Sequence, residues 1–193
     1  MNVVFAPRAA RRLLGLAAAL ALAGAADAAS PLYTQVQPGA QVSFQAKQMG
    51  VAMKGHFATV QAQVRFAPAD LQASRVSVAV ACASVHAGGS QADSLLRGPD
   101  WLDAKAHPQA RFVSTAFTAD GPGRYWVDGR FTVRGTTHPM RVLLLTHAAG
   151  ADLAMDVDFR LDRGSYGVGG GSWADTSVVS GEIPVHVHLL VAR

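Results

Sequence analysis

The stretch Leu153–Asp162, LAMDVDFRLD, decides the fold class. Leu153, Met155, Val157, Phe159 and Leu161 alternate with Ala154, Asp156, Asp158, Arg160 and Asp162, so one face is apolar and the other mostly charged. Successive side chains leave a strand on opposite faces, and this period of two marks a half-buried β-strand. Working outward, Ile183, Val185, Val187, Leu189 and Val191 share a face of Glu182–Val191. On the N-terminal side, a Gly-Thr-Thr-His-Pro turn precedes a strand over Met140–His147. Arg111–Thr118 and Arg124–Arg134 read as a hairpin around Asp120-Gly121-Pro122-Gly123, sending Tyr125, Val127, Phe131 and Val133 inward.

The earlier segments repeat the pattern. Val76, Val78, Val80 and Cys82 fall in phase within Arg75–Val85, as do Val60, Ala62, Val64 and Phe66 within His56–Phe66, and Val42, Phe44 and Ala46 within Gln41–Lys47. Tyr33–Val36 forms a short first strand, Met49–Lys54 reads as an irregular apolar connection, and Gly164–Ser172 reads as a glycine-rich loop. About eight strands with one apolar face each, joined mostly by turns, define an all-β antiparallel fold: a sandwich or a closed barrel. Closure removes the unpaired edges that invite aggregation. A barrel of this strand number is either filled by side chains or holds one small ligand.

One stretch breaks the alternation: Gln91–Phe112, QADSLLRGPDWLDAKAHPQARF. Leu95 and Leu96 ahead of Gly98-Pro99 predict a helix of one or two turns with its stop signal. Asp93, Asp100, Asp103 and His107 raise the question of an acid–base or metal site, yet their spacing matches no metal motif. Asp100 and Asp103 read as turn formers that aim Trp101 and Leu102. His186 and His188 alternate with an apolar stripe and so point outward, with His147 on a neighbouring strand. Gly167–Ser172 lacks the lysine and strand-to-helix context of a phosphate loop, and Ser172 sits in no nucleophile elbow. No catalytic residue and no metal ligand is assigned, and the chain is read as a non-enzyme.

The first 28 residues stand apart. Arg8, Arg11 and Arg12 precede an unbroken Leu/Ala/Gly run over residues 13–23, and Ala26-Asp27-Ala28 supplies a small-x-small cleavage pattern. The run is shorter than the roughly 20 residues of a spanning helix. A signal peptide over 1–28 and a single domain over 29–193 are expected, exported to the periplasm. Losing three arginines and one aspartate brings the formal charge from +4 to about +2. The remaining bases are scattered, which argues against nucleic acid. Cys82 is the only cysteine, so no intramolecular disulfide supports the fold, and its phase with the valines makes it a buried apolar residue.

Phe44-x-x-Lys47-x-Met49-Gly50-Val51, followed by Lys54-Gly55-x-Phe57, resembles the opening of the YceI family of polyisoprenoid-binding, lipocalin-like periplasmic proteins. Phe66-x-Pro68-x-Asp70 is similar to its first long hairpin. The block Asp93-x-x-Leu96-Arg97-x-x-Asp100-Trp101-Leu102-Asp103, with His107-Pro108 and Phe112-x-Ser114-Thr115, resembles its most specific motif. Asp128-Gly129-x-Phe131-Thr132-Val133-Arg134-Gly135 and Arg163-x-x-Tyr166-Gly167 follow in the family's order. Leu102 stands where a second aromatic is common, Tyr166 replaces a phenylalanine, and the Ala149-Gly150 connection is short.

The resemblance implies an eight-stranded antiparallel lipocalin-like barrel with one short helical segment near its mouth. It also implies a long isoprenoid, such as a quinone tail or polyprenol, held as ligand rather than as a cofactor. The expected lining and mouth comprise Phe44, Met49, Val51, Phe57, Val60, Val64, Leu95, Leu96, Trp101, Leu102, Phe112, Phe131, Met155 and Phe159. Two other readings compete with a lipid carrier. One is an accessory module of a quinone-linked membrane b-type cytochrome; the other is a lipid-acting enzyme centred on the Asp/His block. A homodimer is open under each.

Overall fold

A computed structural model describes residues 31–193, and the expected leader over 1–28 lies outside these residues. The strands are β1 (Gln35–Val36), β2 (Gln41–Gln48), β3 (Val51–Phe57), β4 (Val60–Arg65), β5 (Arg75–Ala81), β6 (Val85–His86), β7 (Gln109–Ala119), β8 (Arg124–Val133), β9 (Thr136–Ala149), β10 (Asp152–Asp162) and β11 (Glu182–Ala192). One helix, α1 (Ser90–Arg97), interrupts them. All pairings are antiparallel, in the order β4-β5-β7-β8-β9-β10-β11-β2-β3-β6, with β1 on β11.

The two ends of that path belong to one bent hairpin. β3 runs into β4 through Ala58–Thr59, and β5 runs into β6 through a 3-10 turn at Cys82–Ser84. Hydrogen bonds from Ala58 N–H to Ser84 O (3.0 Å) and from Ala81 N–H to Thr59 O (3.1 Å) carry the pairing through the corner. Counted as two bent strands, they join β2 on one side to β7 on the other. The sheet curls back on itself as an eight-stranded barrel, the architecture the alternating strands implied.

The bend leaves two gaps. β1 fills the one between β11 and β4: it pairs with β11, and Tyr33 exchanges both backbone hydrogen bonds with Phe66 at 2.9 Å. Beside β6, the gap is filled by α1 and the chain that follows it. Asp93 is the latch here. It is buried, its Oδ1 accepts from the Ala87 N–H at 2.7 Å, and its Oδ2 lies 2.9 Å from His86 Nδ1 and 3.7 Å from Arg97. The Ala87 N–H foremost, then His86 and Arg97, hold its carboxyl below the ordinary carboxylate range against the opposing effect of desolvation.

Two turns differ from expectation. Met49 (φ 49°) and Gly50 (φ 84°) form a two-residue hairpin turn, so the segment read as irregular is the start of β3. Arg134 (φ 47°) and Gly135 (φ 75°) do the same before β9, which begins at Thr136 and runs through Pro139. Positive φ at both central positions matches the twist of the flanking strands and is usually signalled by Asn-Gly or Asp-Gly. Met-Gly and Arg-Gly give no such signal.

The latch makes a pH prediction. A carboxyl with a lowered folded-state pKa stabilises fully above its ordinary value near 3.9, and that contribution is lost as pH falls through the lowered value. Protection of the amides in residues 90–97, measured against their intrinsic exchange rates, is expected to fall in acid. Asp93→Asn is expected to bring fast exchange already at neutral pH and to flatten the acid dependence, as read by hydrogen–deuterium exchange mass spectrometry. Unchanged exchange in the variant would contradict the latch.

Candidate functional site

Two apolar clusters occupy the barrel's ends. Tyr33, Phe66, Val127, Leu144, Met155 and Val191 centre the first; Val42, Val80, Cys82, Trp101, Val133, Tyr166 and Val179 centre the second. Cys82 is 1 % exposed, and desolvation pushes its thiol up, so it behaves as the buried apolar group expected. A cavity of about 280 Å3 runs between the clusters. Its wall is built from inward residues of the strands together with α1, the chain after it and the end loop, and among the described residues only Gln48 and Arg163, apart from the indoles, bring polar or charged side chains to it.

Interior width is set partly by glycines. Phe44 stands directly across from Gly55, and a Cβ at Gly55 would strike the Phe44 ring and the His86 carbonyl. A Cβ at Gly129, which pairs with Ser114, would likewise strike the Phe112 ring and the Val113 carbonyl. Each phenylalanine therefore lies over a bare patch of the neighbouring strand, leaving space on its other face. Phe131 packs edge-on against Phe159 at 5.7 Å and Tyr166 at 5.5 Å, a favoured aromatic geometry.

Phe44, Phe57, Leu95, Leu96, Trp101, Leu102, Phe112, Phe131, Met155 and Phe159 all line the cavity. The other four expected positions are elsewhere. Met49 and Val51 flank the hairpin tip and are 79 % and 67 % exposed, because the turn lifts both beyond the barrel rim. Val64 is buried in the first cluster, and Val60 packs on the second. Leu95 lines the cavity while 40 % exposed, with the half-buried Gln48 and Met53 also in the wall, so the cavity meets solvent between α1 and the β2–β3 hairpin.

Backbone hydrogen bonds, not the aspartate side chains, aim Trp101 and Leu102. Trp101 N–H and Asp103 N–H donate to Gly98 O, Leu102 N–H to Leu96 O and Ala104 N–H to Arg97 O, all at 2.9–3.1 Å. Asp103 adopts φ 46°, a left-handed conformation that a short polar side chain tolerates. Asp100 contributes its carbonyl, which accepts from Gly169 and Gly170 N–H at 2.8 Å each. The suspected acid–base group does not assemble: Asp93 is bound to His86 and Ala87, while the hydrogen bonds around Asp100 and Asp103 are made by backbone. His186 and His188 pair with Asp158 (2.9 Å) and Asp156 (2.7 Å) across strands, and His147 reaches Asp156 at 3.6 Å. Among the described residues, no group of histidines, cysteines and carboxylates is arranged to hold a metal ion.

Arg163 is the residue that sequence reasoning missed. It is 2 % exposed, and all five guanidinium N–H groups donate to carbonyls. Nε reaches Ser180 O (3.1 Å), Nη1 reaches Val168 O (3.0 Å) and Gly169 O (2.9 Å), and Nη2 reaches Trp173 O (2.8 Å) and Val179 O (2.9 Å). The guanidinium carbon sits 5.7 Å from the Trp101 ring centroid, within cation–π range. One side chain thus gathers the loop from Gly164 to Gly181 into an end wall that contributes Val168, Trp173 and Val179 to the cavity. The only sequence signal was its place in the Arg163-x-x-Tyr166-Gly167 motif.

An eight-stranded barrel enclosing an apolar cavity, walled at one end by an arginine-held loop and bordered at its mouth by a helix, is a lipocalin-like binding architecture. A profile of the YceI-like domain family matches residues 33–191, and the chain belongs to that family. A UPF0312 protein of Vibrio cholerae is 30 % identical over 140 residues, covering 72 % of this chain and 74 % of its own length. Among solved structures, BcnA of Burkholderia cenocepacia is similar with a TM-score of 0.76 and 34 % identity, over 78 % of this chain and 95 % of BcnA. A polyisoprenoid-binding domain from Saccharophagus degradans shares the fold at a TM-score of 0.64 and 10 % identity, over 83 % and 97 % of the two chains.

Arg163→Lys is expected to lower unfolding stability by about 3 kcal/mol, measured by urea denaturation. An ammonium has three donors on a flexible stem and cannot serve five carbonyls held in a plane. A loss below about 1 kcal/mol, within the range of ordinary surface changes, would contradict the hub role.

Proposed function

We propose that this protein binds and carries an isoprenoid, such as a quinone tail or polyprenol, or a similar long-chain amphiphile, in the periplasm. The observation that carries this reading is the continuous apolar wall around the cavity, with Gln48 and Arg163 as its only polar or charged side chains, apart from the indoles, among the described residues. Such a site recognises hydrocarbon by burial, which contributes about 25 cal/mol per Å2 of apolar surface removed from water. Arg163 has no donor to spare, since all five are engaged within the chain. The indole N–H of Trp101 is buried without an acceptor among the described residues, so a ligand carrying a carbonyl or hydroxyl near that end would satisfy it. Membership of the YceI-like family and the fold shared with a polyisoprenoid-binding domain support the lipid reading. The leader over residues 1–28 supports export.

The test is native mass spectrometry and organic extraction of the protein recovered from a periplasmic extract. The expected result is a chain beginning at Ala29 that carries an amphiphile with a long hydrocarbon tail. Affinity for added polyprenols and quinones is expected to rise with chain length and to change little with salt. Protein that yields no lipid and binds none of these chains would overturn the reading.

A further inference from the structure

The two residues that the rim leaves outside the cavity are the most exposed large apolar side chains among the described residues: Met49 at 79 % and Val51 at 67 %. They flank Gly50 at the tip of the β2–β3 hairpin, held against the end loop by the Met49 N–H to Val178 O bond (2.9 Å) and the Gln48–Val179 bridge. The same hairpin's Gln48 and Met53 line the cavity where it meets solvent, and the half-exposed Leu95 of α1 lines it too. An apolar tip thus stands at the rim of an apolar cavity. The hairpin itself carries charge of one sign only. Between Asp27 and Asp70 the chain has no carboxylate, while Lys47 and Lys54 flank the tip and are exposed. The acids at this end of the barrel, Asp93, Asp100, Asp103, Asp162, Asp175 and Glu182, lie on α1, the chain after it, the end of β10, the end loop and the start of β11, not on the hairpin.

From this placement we infer that the β2–β3 hairpin is a membrane-docking element: Met49 and Val51 enter the interfacial zone of an anionic phospholipid surface, and Lys47 and Lys54 meet its headgroups. The combination of a small apolar wedge with flanking lysines is the chemistry of reversible interfacial binding. Docking there points the cavity mouth at the lipid, so a hydrocarbon chain passes between bilayer and barrel without crossing water. The inference rests on the lipid-carrier reading for its purpose, but docking is measured separately from ligand binding.

The experiment is co-sedimentation of the secreted form with vesicles of equal parts phosphatidylglycerol and phosphatidylcholine, and with vesicles of phosphatidylcholine alone. Binding to the anionic vesicles is expected, and it weakens as salt is added. Met49→Ser with Val51→Ser is expected to weaken it roughly tenfold or more. Lys47→Gln and Lys54→Gln are expected to weaken it about fivefold each. Leu145→Ser, an exposed apolar residue across from Arg124 beside the Gly123 turn at the opposite end of the barrel, is expected to leave it unchanged. All variants are expected to keep the melting temperature and the polyprenol affinity of the parent, because none of these side chains lines the cavity. Absence of vesicle binding, equal loss from Leu145→Ser, or no loss from the tip variants would overturn the docking role. Loss of polyprenol binding by the parent itself would instead overturn the carrier reading.

Discussion

Five hydrogen bonds from the buried guanidinium of Arg163 hold the cavity's end wall in place. A barrel that keeps an apolar space inside must close its end without filling it, and the loop from Gly164 to Gly181 has to bring Val168, Trp173 and Val179 to the cavity while its main chain crosses that end. Its carbonyls at Val168, Gly169 and Val179 are buried and those at Trp173 and Ser180 part-buried, and leaving them unpaired is costly. One planar donor array solves both problems. The same carbonyls surround the charge on Arg163, for which no carboxylate stands within ion-pair distance among the described residues.

The opposite requirement is served by Asp93. The bent hairpin that closes the barrel leaves β6 with only two paired residues, and α1 has to cover the gap without sealing the interior. A buried carboxylate reaching back to the Ala87 N–H fixes the helix by its first turns. Ala92, Leu95 and Leu96 then face the cavity. The two ionised groups are therefore divided by task. Arg163 closes a wall, and Asp93 positions the helix that borders the mouth.

The strands were legible because their periodicity is physical: Leu153–Leu161 alternates since one face meets the interior and the other meets water. Cys82 was legible from its phase, and Phe44, Phe112, Phe131 and Phe159 from the parity of their strands. What the sequence hid had specific causes. Met49-Gly50 and Arg134-Gly135 are turns made with residues that do not announce turns. Met49 and Val51 seemed interior because they are apolar, but Met49 sits in the two-residue turn itself and Val51 directly after it, at the exposed tip beyond the rim. Arg163 was hidden because its partners are all main-chain carbonyls from a loop whose path no periodicity describes. The Asp93–His107 stretch suggested chemistry by composition alone; only three-dimensional placement separates a latch from a turn.

The proposal that a long hydrocarbon chain occupies the barrel cavity is tested most directly at the tryptophans that line it. Trp101 and Trp173 line the cavity 5.7 Å apart, while Trp126 lies outside it under Arg141. In a Trp126→Phe background, titration with a long-chain amphiphile brominated along its tail should quench most of the tryptophan emission, with the unbrominated chain leaving it unquenched. Emission unaffected by the brominated chain, under conditions where mass spectrometry shows the chain bound, would place the ligand elsewhere and contradict the account.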